Sequence, residues 1–117
     1  MNTPFLKHAD LRMRCLSVST GWDARPRIIN PVTWYKYNSD SWCQQPAPSE
    51  IAGHLRMAVE WAKSNPNTVD AGAIIIYAWN EFDEGGWICP TLFGGTDRLD
   101  AIRGVLVGSC SNEGRNP

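Results

Sequence analysis

The chain has 117 residues, of which 43% are hydrophobic and 20% charged, which is ordinary for one globular domain spanning residues 1–117. Its formal net charge of -1 gives no electrostatic reason to expect a nucleic acid or an anionic membrane surface as partner. No apolar run approaches the roughly 20 residues of a membrane span, and the first residues lack the features of a signal peptide, so the localisation is left open.

The first predicted element is a strand at residues 15–20, because the run CLSVST is apolar and β-branched. A long loop over residues 21–48 follows, and its many Trp and Tyr residues argue against disorder. Ser49 is expected to cap a helix that ends at Asn65 and Pro66.

The second half of the chain repeats this order of elements. Residues 71–79 are almost uniformly apolar, as in a strand of a parallel sheet that is buried on both faces. A turn-rich segment leads to a helix at residues 98–107, capped by Asp97, and to a polar tail at residues 108–117. Two consecutive βα units indicate a parallel α/β architecture. Because a (β/α)8 barrel needs eight units, we expect a fragment or incomplete barrel, a homo-oligomer joined through unpaired strand edges, or an irregular small fold.

The four cysteines are Cys15, Cys43, Cys89 and Cys110. They are spaced too widely for a zinc motif and too sparsely for a disulfide scaffold, so we expect free thiols, no metal and no cofactor. The six Trp residues suit a sugar site, since a flat apolar ring stacks on the C–H face of a pyranose. Some of them are expected to be core residues instead.

The strongest functional signal is the motif WNEFDEGGW at residues 79–87, directly after the second apolar strand. The ends of parallel strands are where ligands bind and catalytic groups project. Repulsion among Glu81, Asp83 and Glu84 favours a protonated acid in a partly dry cleft, and two carboxylates are the common machinery of sugar hydrolysis. Gly85 and Gly86 are expected to permit a sharp turn and to leave room for a bulky ligand.

Two other interpretations of the acidic motif are a solvated turn that caps the next helix and a calcium site, although the motif lacks the alternation of an EF-hand loop. A second signal is GWDARPR at residues 21–27. Trp22 can stack on a sugar and Asp23 can bind hydroxyls, while Arg25 or Arg27 can contact Asp23 or a substrate oxygen. The alternative is an Arg–Asp pair that only stiffens the loop.

The runs IIIYAWNEFDEGGWICPT and STGWDARPR resemble the last two strands and loops of glycoside hydrolase family 99-like proteins, the endo-alpha-mannosidases and their WbsX-like relatives. The resemblance covers residues 15–107 and implies the last two βα units of a TIM barrel. It also implies a retaining glycosidase acting on oligo- or polysaccharides. Glu81 would be the base at the sugar 2-hydroxyl, and Glu84 the acid and then the base at the glycosidic oxygen.

The resemblance further implies that Trp22 and Trp87 line the sugar subsites and that Asn80 orients a carboxylate or binds a hydroxyl. The predicted substrate-binding residues are Trp22, Asp23, Arg25, Trp79, Asn80, Asp83 and Trp87. Two other functions stay open, namely a carbohydrate-binding or accessory protein without turnover and a purely structural small α/β protein.

Overall fold

The computed structural model describes residues 15–69 and 71–111 as three helices and two small sheets. The elements in chain order are β1 (Leu16–Ser19), α1 (Arg25–Ile29), α2 (Pro48–Ser64), β2 (Ile74–Tyr77), β3 (Asn80–Glu81), a 3-10 turn (Phe82–Glu84), β4 (Gly86–Trp87) and α3 (Asp97–Ser111). Strands β1 and β2 pair in parallel, in a register that places Ser19 opposite Tyr77. Strands β3 and β4 form a separate antiparallel pair.

The hydrophobic core lies between the β1–β2 pair and the helices α2 and α3. Its buried members are Val18, Ile51, Ala52, Leu55, Ile102 and Val105. Ile51 and Leu55 are four residues apart, and Ile102 and Val105 are three apart, so each pair lies on one face of its helix. The sheet contributes from one face, because Val18 is fully buried whereas its neighbours Ser17 and Ser19 are exposed.

The predicted helices are present, but both of their predicted caps are wrong. Helix α2 begins at Pro48, since proline fits the first turn, where its missing N–H is not needed. Ser49 therefore lies inside the helix, and Glu50 Oε2 accepts a 2.7 Å hydrogen bond from the N–H of Ala47 at the preceding position. Asp97 is likewise the first residue of α3 rather than its cap.

The predicted (β/α)8 barrel, as its last two βα units, is contradicted by this arrangement. The order β1, α2, β2, α3 gives two parallel strands, each followed by a helix, but the remaining strands form an antiparallel pair in a sheet of their own. A two-stranded parallel pair has no neighbouring strands to curve around a closed axis, so it supplies no barrel wall. The structure is a small mixed α and β fold.

The long loop and the second strand also differ from prediction. The loop contains the short helix α1, with Pro26 in its first turn, which the aromatic composition did not indicate. Strand β2 covers Ile74–Tyr77 rather than residues 71–79, and Ile75 on its outer face is exposed. Within residues 15–69 and 71–111, no other strand pairs with β1 or β2, so each has an open edge. Association through these edges stays a prediction.

Candidate functional site

The site begins where β1 and β2 end side by side, held together by the fully buried Thr20. The backbone N–H and the hydroxyl of Thr20 donate to the carbonyl of Tyr77 at 2.8 and 2.7 Å. The N–H of Ala78 donates to the Thr20 hydroxyl at 3.1 Å. Because both strands run in the same direction, the Gly-Trp-Asp segment and the acidic motif both begin at the carboxyl ends of the strands, where these Thr20 hydrogen bonds hold them together.

The acidic motif folds as a tight hairpin rather than an open turn. Asn80 and Glu81 pair with Trp87 and Gly86, and one 3-10 turn closes the end. Gly85 then adopts the left-handed conformation at φ 73°, which favours glycine. The hairpin is tied to the other segment by the N–H of Asp23, which donates to the carbonyl of Glu84 at 2.7 Å.

The two glycines of the hairpin make room for protein, not for a ligand as predicted. A Cβ on Gly85 would lie 2.8 Å from the backbone nitrogen of Asp23. A Cβ on Gly86 would lie 2.9 Å from the ring of Tyr77. Gly21, at φ 140°, is needed for the same reason, because its Cβ would lie 2.1 Å from the carbonyl oxygen of Gly85. The three glycines therefore permit the close packing that brings Tyr77 to the acidic hairpin.

Glu84 is the most enclosed of the three acids, with 17% of its side chain exposed. Its two carboxylate oxygens each accept a hydrogen bond from a tyrosine hydroxyl, Oε1 from Tyr37 and Oε2 from Tyr77. The bond to Glu84 raises the pKa of Tyr37 to about 12. Burial, followed by the bond to Glu84, raises the pKa of Tyr77 as well. Both phenols therefore keep their protons at neutral pH and act as donors to Glu84.

Arg27 of helix α1 faces all three acids of the hairpin. Its guanidinium lies 3.7 Å from Glu81 Oε2, 3.2 Å from Asp83 Oδ2 and 4.0 Å from Glu84 Oε1. The Arg27 side chain is only 20% exposed, so its charge acts on these carboxylates in a partly desolvated setting. The predicted catalytic residues Glu81 and Glu84 are thus brought to one cation, together with Asp83.

The aromatic wall beside Glu84 is built by the long loop. Tyr37 packs edge-on against Tyr35, with ring centroids 4.9 Å apart, and lies 6.1 Å from the ring of Trp22. The Trp22 Nε1–H donates to Ser41 Oγ at 3.0 Å, which fixes the ring against the same loop. Trp22 therefore contacts Tyr37, which binds Glu84, and its role at a substrate stays a prediction.

Asp23 and Arg25 are engaged with each other. Arg25 Nε and Nη2 each donate to the Asp23 carboxylate at 2.8 Å, and this bond lowers the pKa of Asp23. The Arg25 guanidinium also lies 4.2 Å above the ring of Trp42. The contact between Arg25 and Asp23 is the one that the sequence allowed, and Arg27 rather than Arg25 reaches the acids. The roles of Asp23 and Arg25 at a substrate stay predictions.

Three predicted substrate-binding residues of the hairpin have no described contact with Arg27 or with the two tyrosines, namely Trp79, Asn80 and Trp87. Trp79 and Asn80 are exposed at the start of the hairpin. The ring of Trp87 packs 5.5 Å from that of Phe82 and beneath the guanidinium of Arg98 at 4.1 Å. These rings and Phe93 line an open cleft of about 460 Å³. Their predicted roles at a substrate stay predictions.

Arg98 of α3 joins the segments around the hairpin. Its Nη1 donates to the carbonyl oxygens of Trp87 at 2.7 Å and Thr20 at 3.1 Å. Its Nη2 donates to Gln45 Oε1 and to the carbonyl of Pro46, both at 3.3 Å. Burial lowers the pKa of this guanidinium. The residue thus holds the ends of β1, of β4 and of the long loop together.

The residues that sequence reasoning missed are the two tyrosines that hold Glu84, and Arg27 was named only as an alternative to Arg25. Tyr77 is the last residue of β2, so its position at a strand end was a usable signal. Tyr37 lies far along the loop, and nothing in its local pattern indicates an acidic partner 47 residues later.

Comparison of the chain with protein-family models, with curated proteins and with solved structures finds no match. In the part of the chain that the structure describes, no helix is long and apolar enough to cross a bilayer. Over the same residues, no group of three or more His, Cys, Asp or Glu side chains is arranged to hold a metal ion. Cys15, Cys43 and Cys89 are free thiols.

Proposed function

We propose that this chain is a glycoside hydrolase, or part of one, which cleaves glycosidic bonds in oligo- or polysaccharides with a retaining mechanism. Glu81 and Glu84 are its catalytic carboxylates. The observation that carries the proposal is that both carboxylates lie within 4.0 Å of the guanidinium of Arg27, at the end of a parallel strand pair. Two carboxyl groups held at one site are what hydrolysis of a glycosidic bond requires.

The surroundings of the pair support a sugar as the ligand. Trp22 and Tyr35 each contact the ring of Tyr37, whose hydroxyl donates to Glu84. Aromatic rings present an apolar face to the C–H face of a sugar, while their polar ends remain able to hydrogen-bond. In this proposal the two carboxylates carry out the hydrolysis, and the neighbouring aromatic rings bind the sugar.

An acidic turn that is merely solvated does not explain this arrangement. Enclosing a carboxylate costs free energy unless donors compensate for the lost water. For Glu84 this compensation comes from Tyr37 and Tyr77, which reach it from the long loop and from β2. Residues from two separate segments thus converge on one carboxylate, as they do in sites that use a charged group.

The test is a hydrolysis screen over aryl glycosides and oligosaccharides with the wild-type chain and single variants. Glu81→Gln and Glu84→Gln should each lower kcat/KM by about 100-fold or more on any substrate that the wild type cleaves. Glu60→Gln, an exposed position on α2, is the matched control and should leave the rate unchanged. Unchanged turnover in both hairpin variants would refute the proposal.

The same proteins separate catalysis from binding without turnover. A saccharide that shifts the Trp fluorescence of the wild type, with no cleavage of any substrate, would indicate a carbohydrate-binding protein instead. The Trp22→Ala variant should then lose the shift, whereas Trp61→Ala on α2 should keep it, because Trp22 contacts the ring of Tyr37.

A further inference from the structure

Residues 31–40 of the long loop form a segment without helix or strand. Both of its ends are tied to the structure. The N–H of Asn30 donates to the carbonyl of Pro26 at 2.9 Å, and the N–H of Ala24 donates to the carbonyl of Ser41 at 3.1 Å. Between these ties, eight of the ten residues are exposed. The segment therefore buries little apolar area, as is typical of loops that open at a low cost in free energy.

Tyr37 holds the middle of this segment against the acidic hairpin. Its hydroxyl is bonded to Glu84 Oε1, and this is the one hydrogen bond that the described structure shows between residues 31–40 and a residue beyond their immediate neighbours. Its ring also lies 6.1 Å from that of Trp22. Because Tyr77 is bonded to Oε2, each oxygen of Glu84 already has a partner, and the side chain is only 17% exposed. A substrate therefore reaches Glu84 only if one tyrosine moves aside.

The two tyrosines on Glu84 are held very differently. Tyr77 is the last residue of β2, and its carbonyl accepts from the N–H and the hydroxyl of Thr20 at 2.8 and 2.7 Å. Its ring packs so closely on Gly86 that a Cβ there would lie 2.9 Å away. Tyr37 can leave Glu84 by a movement of its exposed segment alone, without the loss of any strand pairing. Tyr37 is therefore the residue that moves.

A buried donor beside the Tyr37 bond lacks an acceptor. Arg27 Nε lies 4.0 Å from Glu84 Oε1 and 3.2 Å from Asp83 Oδ2, yet within the described residues it makes no hydrogen bond. A buried N–H without an acceptor costs free energy. A sugar hydroxyl that takes the place of the Tyr37 hydroxyl can donate to Glu84 and accept from Arg27, because a hydroxyl does both. The site thus has a position that fits a sugar hydroxyl.

We infer that residues 31–40 are a lid over the catalytic pair, and that a sugar hydroxyl displaces the Tyr37 hydroxyl from Glu84 when the substrate binds. This inference rests on the proposed function. The Tyr37 ring moves only far enough to free Glu84 Oε1, so it stays beside the bound sugar. Because the substrate binds only after the lid has moved, the closed state lowers the apparent affinity for substrate.

Carboxylate labelling tests the lid without any substrate. The chain is treated with a carbodiimide and an amine, and tandem mass spectrometry of its peptides gives the rate of labelling at each acid. Tyr37→Phe removes the bond that closes the lid, so Glu84 should be labelled about 10-fold faster than in the wild type, as expected for a lost hydrogen bond to a charged group. Glu81 is the internal reference, since it is already 43% exposed.

Tyr77→Phe is the matched control, because it also removes one hydrogen bond from Glu84 but leaves the Tyr37 bond in place. It should accelerate the labelling of Glu84 much less than Tyr37→Phe does. Equal acceleration in the two variants would overturn the lid, since the lost bond and not access would then set the rate. Equal rates in the wild type and Tyr37→Phe would overturn it as well.

Kinetics on any substrate that the chain cleaves give the second test. Tyr37→Phe should lower KM by up to about 10-fold with little change in kcat, because the substrate no longer has to displace a hydroxyl. A lower kcat with KM unchanged would show that Tyr37 takes part in the chemistry, and the lid would be overturned. A wild type that hydrolyses nothing would refute the proposed function, whereas the labelling rates would still decide whether residues 31–40 close over Glu84.

Discussion

Replacing Arg98 by Met removes the cation that joins three segments behind the acidic hairpin while keeping most of the side-chain volume. A hydrogen bond to a charged group contributes about 1.5–3 kcal/mol to the free energy of unfolding. The two Nη1 bonds, to Trp87 and Thr20, are counted at the lower figure, and the contact with the Trp87 ring at about 1 kcal/mol. The expected loss is about 3–4 kcal/mol, a large part of the ~5–15 kcal/mol that stabilises a small domain.

Chemical denaturation followed by far-ultraviolet circular dichroism measures this loss, since the fluorescence of Trp87 would itself respond to the substitution. Arg103→Met on the exposed face of the same helix is the control and should change the free energy of unfolding by less than about 0.5 kcal/mol. Equal, small losses for Arg98→Met and Arg103→Met would show that water replaces the guanidinium at these carbonyls, and the estimate would be wrong.

Two further predictions concern the packing and the protonation of the site. Gly21→Ala should lower the free energy of unfolding by about 3 kcal/mol, because its φ of 140° disfavours a side chain and the new Cβ meets the Gly85 carbonyl oxygen. Gly53→Ala is the control, since no atom lies near its new Cβ in helix α2, and it should raise the free energy of unfolding by about 0.5–1 kcal/mol. Similar changes for the two variants in chemical denaturation would contradict the geometry. The pKa of Tyr37 is raised from 10.0 to about 12, so its contribution to stability is complete below pH 10 and is lost as the pH rises through about 12. The difference between the phenolate absorbance of the wild type and of Tyr37→Phe isolates the Tyr37 phenol, because Tyr77 ionises late in both proteins, and circular dichroism reports the fold at each pH. A difference that titrates near the ordinary value of 10.0 rather than about 12 would refute the bond to Glu84.

Local pattern predicted the elements that local forces determine. The apolar faces of α2 and α3 follow from the 3.6-residue period, and the two parallel strands follow from their apolar, β-branched runs. The short elements were missed because they depend on partners far along the chain. Strand β3 has only two residues, and its identity as a strand is set by Trp87 and Gly86 across the hairpin.

The candidate site was predicted in part for the same reason. Glu81, Glu84 and Trp22 stand in motifs whose residue types suggest their chemistry, and the structure brings them to one region. Tyr37 contributes through an aromatic loop that was expected to be ordered, but its partner could not be read from that loop. The barrel expectation was wrong because a pattern of two βα units does not specify what lies beside them, and the family resemblance supplied the missing units.

The acidic hairpin and the long loop depend on each other. Tyr37 reaches Glu84 only if the loop is held near the hairpin, and Gln45 provides one such tie by donating to the carbonyl of Gly85 at 2.8 Å. The close approach of the hairpin at Gly85 in turn requires a glycine at position 21. Stability alone does not require a charged group here, because replacing buried charged groups by apolar ones of similar volume often leaves the free energy of unfolding unchanged or raises it. An enclosed carboxylate with two tyrosine donors therefore supports the proposed catalytic role of Glu84.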